Sequence, residues 1–153
     1  MNLVPFETSQ YQISRIRLLL SLSAPEESEE EINRIIEAYY DPEVLNFLFL
    51  AQSANFSLGL IGIHRYSPQK GYIKHLAVDP ELRWKGIGRF MVEGIAERFS
   101  LSQLETKATE ENLGFFRACS FDIQPIDQGR QGLVRYQCTK HFQRRKVGSL
   151  LSF

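Results

Sequence analysis

The chain has 153 residues, of which 43% are hydrophobic and 24% charged, which is the balance of a soluble globular protein of about one domain. Its 18 Lys and Arg match its 18 Asp and Glu, so no global field draws it to nucleic acid or an anionic bilayer. The opening Met1-Asn-Leu-Val-Pro-Phe-Glu lacks a leader pattern, no apolar run is long enough to span a membrane, and Cys119 and Cys138 make neither a disulfide framework nor a CxxC metal site. A cytoplasmic protein with reduced thiols is the expectation.

Ser9 is placed to cap a first helix carrying Ile13, Ile16, Leu19 and Leu20, which Pro25 stops. Ser28-Glu-Glu-Glu31 has the form of a capping box, and Ile32, Ile35, Ile36 and Tyr39 follow at helical spacing until Asp41-Pro42. From Val44 onward, short apolar runs between polar turns predict a strand meander over 44–52, 56–66 and 72–78, closed by Asp79-Pro80. A helix over about 86–99 repeats Ile87, Met91, Ile95 and Phe99 every four residues. A strand over 104–108 follows, then a short helix capped by Thr109 with Glu110 and Glu111 in its first turn, and strands near 121–126 and 133–139. This order implies an α/β (α+β) fold, a mixed and largely antiparallel central sheet with helices on both faces, in a single domain over 1–140. The basic and then apolar 141–153 segment is expected to be a tail that is solvated or docks on a neighbour.

The segment that carries chemistry is Tyr72-Ile-Lys-His-Leu-Ala-Val-Asp-Pro-Glu-Leu-Arg-Trp-Lys-Gly-Ile-Gly88, a strand, a loop and a glycine-bearing helix start. A helix N-terminus leaves backbone N–H groups unpaired and its dipole favours an anion. Gly86 and Gly88 lack a Cβ, so a phosphate has close access to the amides, and Arg83, Lys85 and Arg89 add cations. A dinucleotide fingerprint needs a third glycine where Met91 stands, and a Walker loop needs Gly-Lys followed by Ser or Thr, which is absent. A tight turn with solvated cations is the plain alternative.

Arg83-Trp-Lys-Gly86-Ile-Gly88 is similar to the Arg/Gln-x-x-Gly-x-Gly/Ala motif of the GCN5-related N-acetyltransferase (GNAT) superfamily. Ala108-Thr-Glu-Glu-Asn-Leu-Gly-Phe-Phe-Arg-Ala-Cys-Ser-Phe121 resembles its second motif, commonly ending in Phe-Tyr-x-x-x-Gly-Phe. The opening segment 1–25 also resembles an acetyltransferase-like protein encoded in bacterial riboflavin operons. The superfamily resemblance implies the acyl-CoA N-acyltransferase fold, with acetyl-CoA as donor, a small-molecule or protein amine as acceptor, and no metal. It implies that the amides of Trp84, Lys85, Gly86, Ile87, Gly88 and Arg89 hold the CoA pyrophosphate, with Arg83 and Phe116 also at the cofactor. The backbone of Leu76, Ala77 and Val78 would pair with pantetheine along a parted sheet edge, and an amide near Ala77 or Val78 would polarise the thioester carbonyl.

Phe116 stands where relatives often carry a tyrosine acid, so the thiolate's proton must come from water or another hydroxyl, with Tyr136, Tyr39 and Tyr40 as candidates. This departure supports a competing reading, a CoA-binding sensor or interaction module without turnover. An amine of ordinary pKa near 10.4 must lose a proton before attack. Strand alternation puts Tyr72 and Lys74 on one face and Ile73 and His75 on the other; the resemblance implies a base at Tyr72 or Lys74, and activation through a water and Glu105, Glu110 or His75 is the alternative. Each also has a structural reading, and the sequence does not choose. Cys119 reads as a small core residue, and His64, His75 and His141 show no metal-ligand spacing. A third reading, a nucleotide-binding domain, lacks a use for the 76–78 strand, and a homodimer is left open.

Overall fold

The computed structural model describes residues 1–6, 10–126 and 134–143. Its strands are β1 (Asn2–Pro5), β2 (Asn46–Ser53), β3 (Phe56–Ser67), β4 (Lys70–Val78), β5 (Gln103–Ala108), β6 (Asp122–Ile126) and β7 (Arg135–His141). They form one sheet in the order β1-β2-β3-β4-β5-β7-β6, antiparallel except for the β4–β5 pair. The helices are α1 (Gln10–Ser23), α2 (Glu29–Ala38), α3 (Ile87–Arg98) and α4 (Glu110–Ala118).

Two apolar layers sandwich the sheet, and strand alternation sorts residues between them. On one face Phe49, Ile61, Ile63, Ile73 and Leu104 pack with Met91, Val92 and Ile95 of α3 and with Leu113 and Phe116 of α4. On the other, Leu48, Leu50, Leu60 and Ala77 pack with Ile16, Leu19 and Leu20 of α1 and with Ile32 and Ile36 of α2. Leu20 and Leu60 are wholly buried, so truncating either to alanine costs about 2–5 kcal/mol.

Local chemistry sets the helix ends. The Ser28 hydroxyl accepts from the Glu31 amide at 3.2 Å, as the capping pattern predicts. Thr109 occupies the α4 N-cap position without a side-chain cap bond, so the acidic first turn alone matches expectation there. Both α3 and α4 end in a Schellman motif. After α3, the Leu101 amide reaches the Ala96 carbonyl and Ser100 sits at φ +51°; after α4, the Phe121 amide reaches the Phe116 carbonyl and Ser120 sits at φ +66°.

Two differences from the sequence reading have simple causes. Strand β1 is unanticipated, because Leu3 and Val4 are too short an apolar run to register as an element; it pairs at the sheet edge, where Pro5 is tolerated. Strand β7 spans Arg135–His141 where 133–139 was expected, with His141 pairing with Gln103; the expected cap Ser9, with residues 7–9, 127–133 and the rest of the tail, 144–153, lies outside the described residues.

Candidate active site

The parallel β4–β5 pairing lasts three positions, Lys70 with Gln103, Gly71 with Leu104 and Tyr72 with Glu105. Beyond Tyr72 the strands part. The Thr106 hydroxyl still donates to the Ile73 carbonyl at 2.9 Å, a side-chain tie at the vertex of the opening. Leu76, Ala77 and Val78 pair with Ile61, Leu60 and Gly59 of β3 on one edge and have no strand pairing on the other. This is the parted edge that the family resemblance implies.

A bulge in β4 alters the expected faces. Ile73 pairs with Ile63 while His75 pairs with Gly62, so Lys74 is the extra, exposed residue. The alternation that placed Ile73 and His75 together therefore fails. Ile73 is buried on the α3/α4 face, whereas His75 turns to α2, where its Nδ1 lies 2.5 Å from the Tyr39 hydroxyl. Burial above all, with Lys74 adding to it, lowers the His75 pKa to about 4, and its Nδ1 is engaged by the Tyr39 hydroxyl. His75 is thus a poor base.

Tyr72 and Glu105 meet as direct partners at the vertex, on the α1/α2 side of the sheet, since their neighbours Ile73, Leu104 and Thr106 all face α3 and α4 or are buried. The Glu105 carboxylate accepts from Gln103 Nε2 at 3.3 Å and from Gln137 Nε2 at 3.5 Å. Neither ion pair among the described residues involves it. Tyr136 lies on the opposite face, packed against the α3/α4 core, with its hydroxyl 3.4 Å from Glu110 Oε1 in the first turn of α4.

Following β4, Asp79 accepts from the Glu81 amide at 2.9 Å and organises a 3-10 turn at Pro80–Leu82. Arg15 of α1 binds the other Asp79 oxygen and the Ser57 carbonyl, so α1 clamps the end of β4. The Arg15 guanidinium and the Glu81 amide hold the Asp79 pKa below its ordinary value. Nothing in the apolar periodicity of α1 singles out Arg15.

The first intrahelical bond of α3 runs from Phe90 N to Gly86 O, which leaves the amides of Ile87, Gly88 and Arg89 facing out of the helix end. Gly86 takes φ +79°, and a Cβ there would meet nothing within 4 Å. A Cβ at Gly88 would lie 2.4 Å from the Phe115 ring, so its smallness also lets α4 pack on α3. The Arg89 guanidinium binds the Ala118 carbonyl at the C-terminus of α4. Arg83 and Lys85 are exposed, as is Trp84 at φ +68°. The Phe116 ring is 6% exposed, edge-on to Phe121 at 5.2 Å, in the core contact of the Schellman motif. Cys119 is buried as expected.

A model of the Acetyltransferase (GNAT) family matches residues 13–121. No curated protein matches the sequence. Among solved structures, the chain is similar to an aminoglycoside 6′-N-acetyltransferase complexed with coenzyme A, at TM-score 0.81 and 14% identity over 95% of this chain and 99% of that one. It is also similar to the aminoglycoside 6′-N-acetyltransferase from Enterococcus faecium, at 0.79 and 14% over 95% and 99%. A GNAT family acetyltransferase from Elizabethkingia anophelis with acetyl-CoA bound gives 0.63 and 18% over 92% and 97%. With the family model covering most of the sheet and both motifs, the chain belongs to the acetyltransferase (GNAT) family.

Proposed function

We propose that the protein is an acetyl-CoA-dependent N-acetyltransferase that passes the acetyl group directly to a primary amine of a small molecule or protein within a ternary complex. One observation carries this reading: the unpaired β4 edge at Leu76–Val78 lies one short loop before the outward-facing amides of α3. Solved relatives that hold CoA or acetyl-CoA support the choice of donor. The amides around Gly86 would hold the pyrophosphate, the β4 edge would pair with pantetheine, and an amide near Ala77 or Val78 would face the thioester carbonyl.

The two sheet faces then divide the proton transfers. The amine nitrogen attacks the carbonyl carbon and the carbon–sulfur bond breaks. Glu105, beside Tyr72 on the α1/α2 face, takes the ammonium proton directly or through one water. Tyr136, on the opposite face and hydrogen-bonded to Glu110, gives a proton to the departing thiolate in place of the hydroxyl that Phe116 lacks. A single catalytic domain over 1–140 in the cytoplasm belongs to the same proposal, and free Cys119 and Cys138 are consistent with a reducing compartment.

The absence of a hydroxyl at Phe116 favours one second reading, a CoA-binding module that has lost turnover. Incubation with acetyl-CoA and a panel of primary amines, followed as thiol release, separates the two. Amine-dependent release supports the transferase, and tight CoA binding without release across the panel supports the module.

A further inference from the structure

Trp84 is the single tryptophan of the chain, and it is 101% exposed while its backbone holds φ +68°. Both features oppose ordinary folding preferences. A large aromatic forgoes its burial energy, and a bulky residue in the left-handed region carries strain that glycine avoids. Among the described residues no aromatic or cation–π contact involves the indole. Its neighbours Arg83 and Lys85 are exposed, and neither takes part in an ion pair among those residues. The three side chains stand just before Gly86, the N-cap of α3.

We infer that Trp84 stacks on the adenine ring of CoA while Arg83 and Lys85 pair with the ribose 3′-phosphate. The inference rests on the CoA reading above. With pantetheine along β4 and the pyrophosphate at the start of α3, the connectivity of CoA sends its nucleoside end outward from the pyrophosphate. The loop carrying residues 83–85 borders that exit. A free aromatic face accepts any base, and flanking cations suit a phosphomonoester beside it. The indole thereby buries in the complex the surface that the free protein leaves in water.

Calorimetric titration of the full chain, Trp84→Gly and Trp84→Phe tests this with three ligands: CoA, 4′-phosphopantetheine and adenosine 3′,5′-bisphosphate. Glycine suits the backbone at position 84, so the variant folds. CoA affinity is expected to fall about tenfold in Trp84→Gly and no more than about threefold in Trp84→Phe, with 4′-phosphopantetheine unchanged in both. In the unaltered protein, CoA and the bisphosphate are expected to quench the lone tryptophan's fluorescence and phosphopantetheine to leave it unchanged. Equal CoA affinity in all three proteins overturns the stacking role, as does an equal loss for CoA and phosphopantetheine. No CoA binding to the unaltered protein overturns the CoA reading itself.

Discussion

The Tyr39 hydroxyl lies 2.5 Å from Nδ1 of His75, joining α2 to the bulge in β4. Gly62 makes the contact possible, since a Cβ there would lie 1.9 Å from that hydroxyl. Burial pushes the Tyr39 pKa well above the usual phenol value, so the phenol keeps its proton and shares a hydrogen bond with a neutral imidazole.

Stability should therefore depend on pH through His75. Burial first, then the charge of Lys74, lowers its folded pKa to about 4 from the ordinary 6.5. Between those values the unfolded chain binds a proton that the folded chain rejects, so stability is complete above about pH 6.5 and falls as pH drops toward about 4. At about 1.4 kcal/mol per unit, the window is worth at most about 3–4 kcal/mol. Urea midpoints at about pH 4.5 and 7.5 measure it. The difference should shrink in His75→Gln, and an undiminished difference there assigns the dependence to other groups.

The two glycines of the α3 motif should fail in different ways when replaced by alanine. Gly86→Ala meets open space and should cost about 1–2 kcal/mol through its positive φ alone. Gly88→Ala drives a methyl into the Phe115 ring and should cost about 1–3 kcal/mol. Shrinking the ring, as Phe115→Leu, should recover part of the second loss and none of the first. Denaturation of the single and double variants decides it, and equal coupling of Phe115 to both positions contradicts the assignment.

Ser100 and Ser120 occupy the left-handed positions after α3 and α4, where glycine is the unstrained residue. Ser100→Gly and Ser120→Gly should each stabilise by about 1 kcal/mol, raising the thermal midpoint by about 3 °C apiece. Because the two sites sit at the ends of different helices, the gains should add. Calorimetric melts check this, and an unchanged or lowered midpoint removes the strain argument.

These positions also mark how far the sequence was legible. Helix α2, the β2–β4 meander and the α3 face follow from periodicity and capping, which are local. The parted strands are not local, because their separation depends on where β4 stops pairing with a partner some thirty residues away; the family motif pointed to it and periodicity did not. The bulge at Lys74 reversed the face of His75, and alternation carries no warning of an inserted residue. Phe116 read as a missing acid, yet its place is fixed by the end of α4, where the contact with Phe121 closes the helix. Arg15 and Arg89 were indistinguishable from solvated cations until the Asp79 and Ala118 oxygens were placed beside them.

The division of proton transfers between the two sheet faces makes the sharpest test of the mechanism. Glu105→Gln keeps the size and hydrogen-bonding capacity of the side chain beside Gln103 and Gln137, and removes the charge that would accept an ammonium proton. It should lower kcat by about 10²-fold with little change in CoA affinity, and the loss should narrow as pH rises toward the pKa of the acceptor amine, where solvent deprotonates it unaided. Tyr136→Phe removes only a hydroxyl on the other face. Its effect should be smaller, about tenfold in kcat, because a thiolate of pKa near 8.5 needs little help to leave, and it should not depend on the acceptor's pKa. Rates across a series of amines of graded basicity separate the two roles. If the Glu105→Gln defect is the same for weakly and strongly basic amines, the carboxylate positions the acceptor and does not deprotonate it.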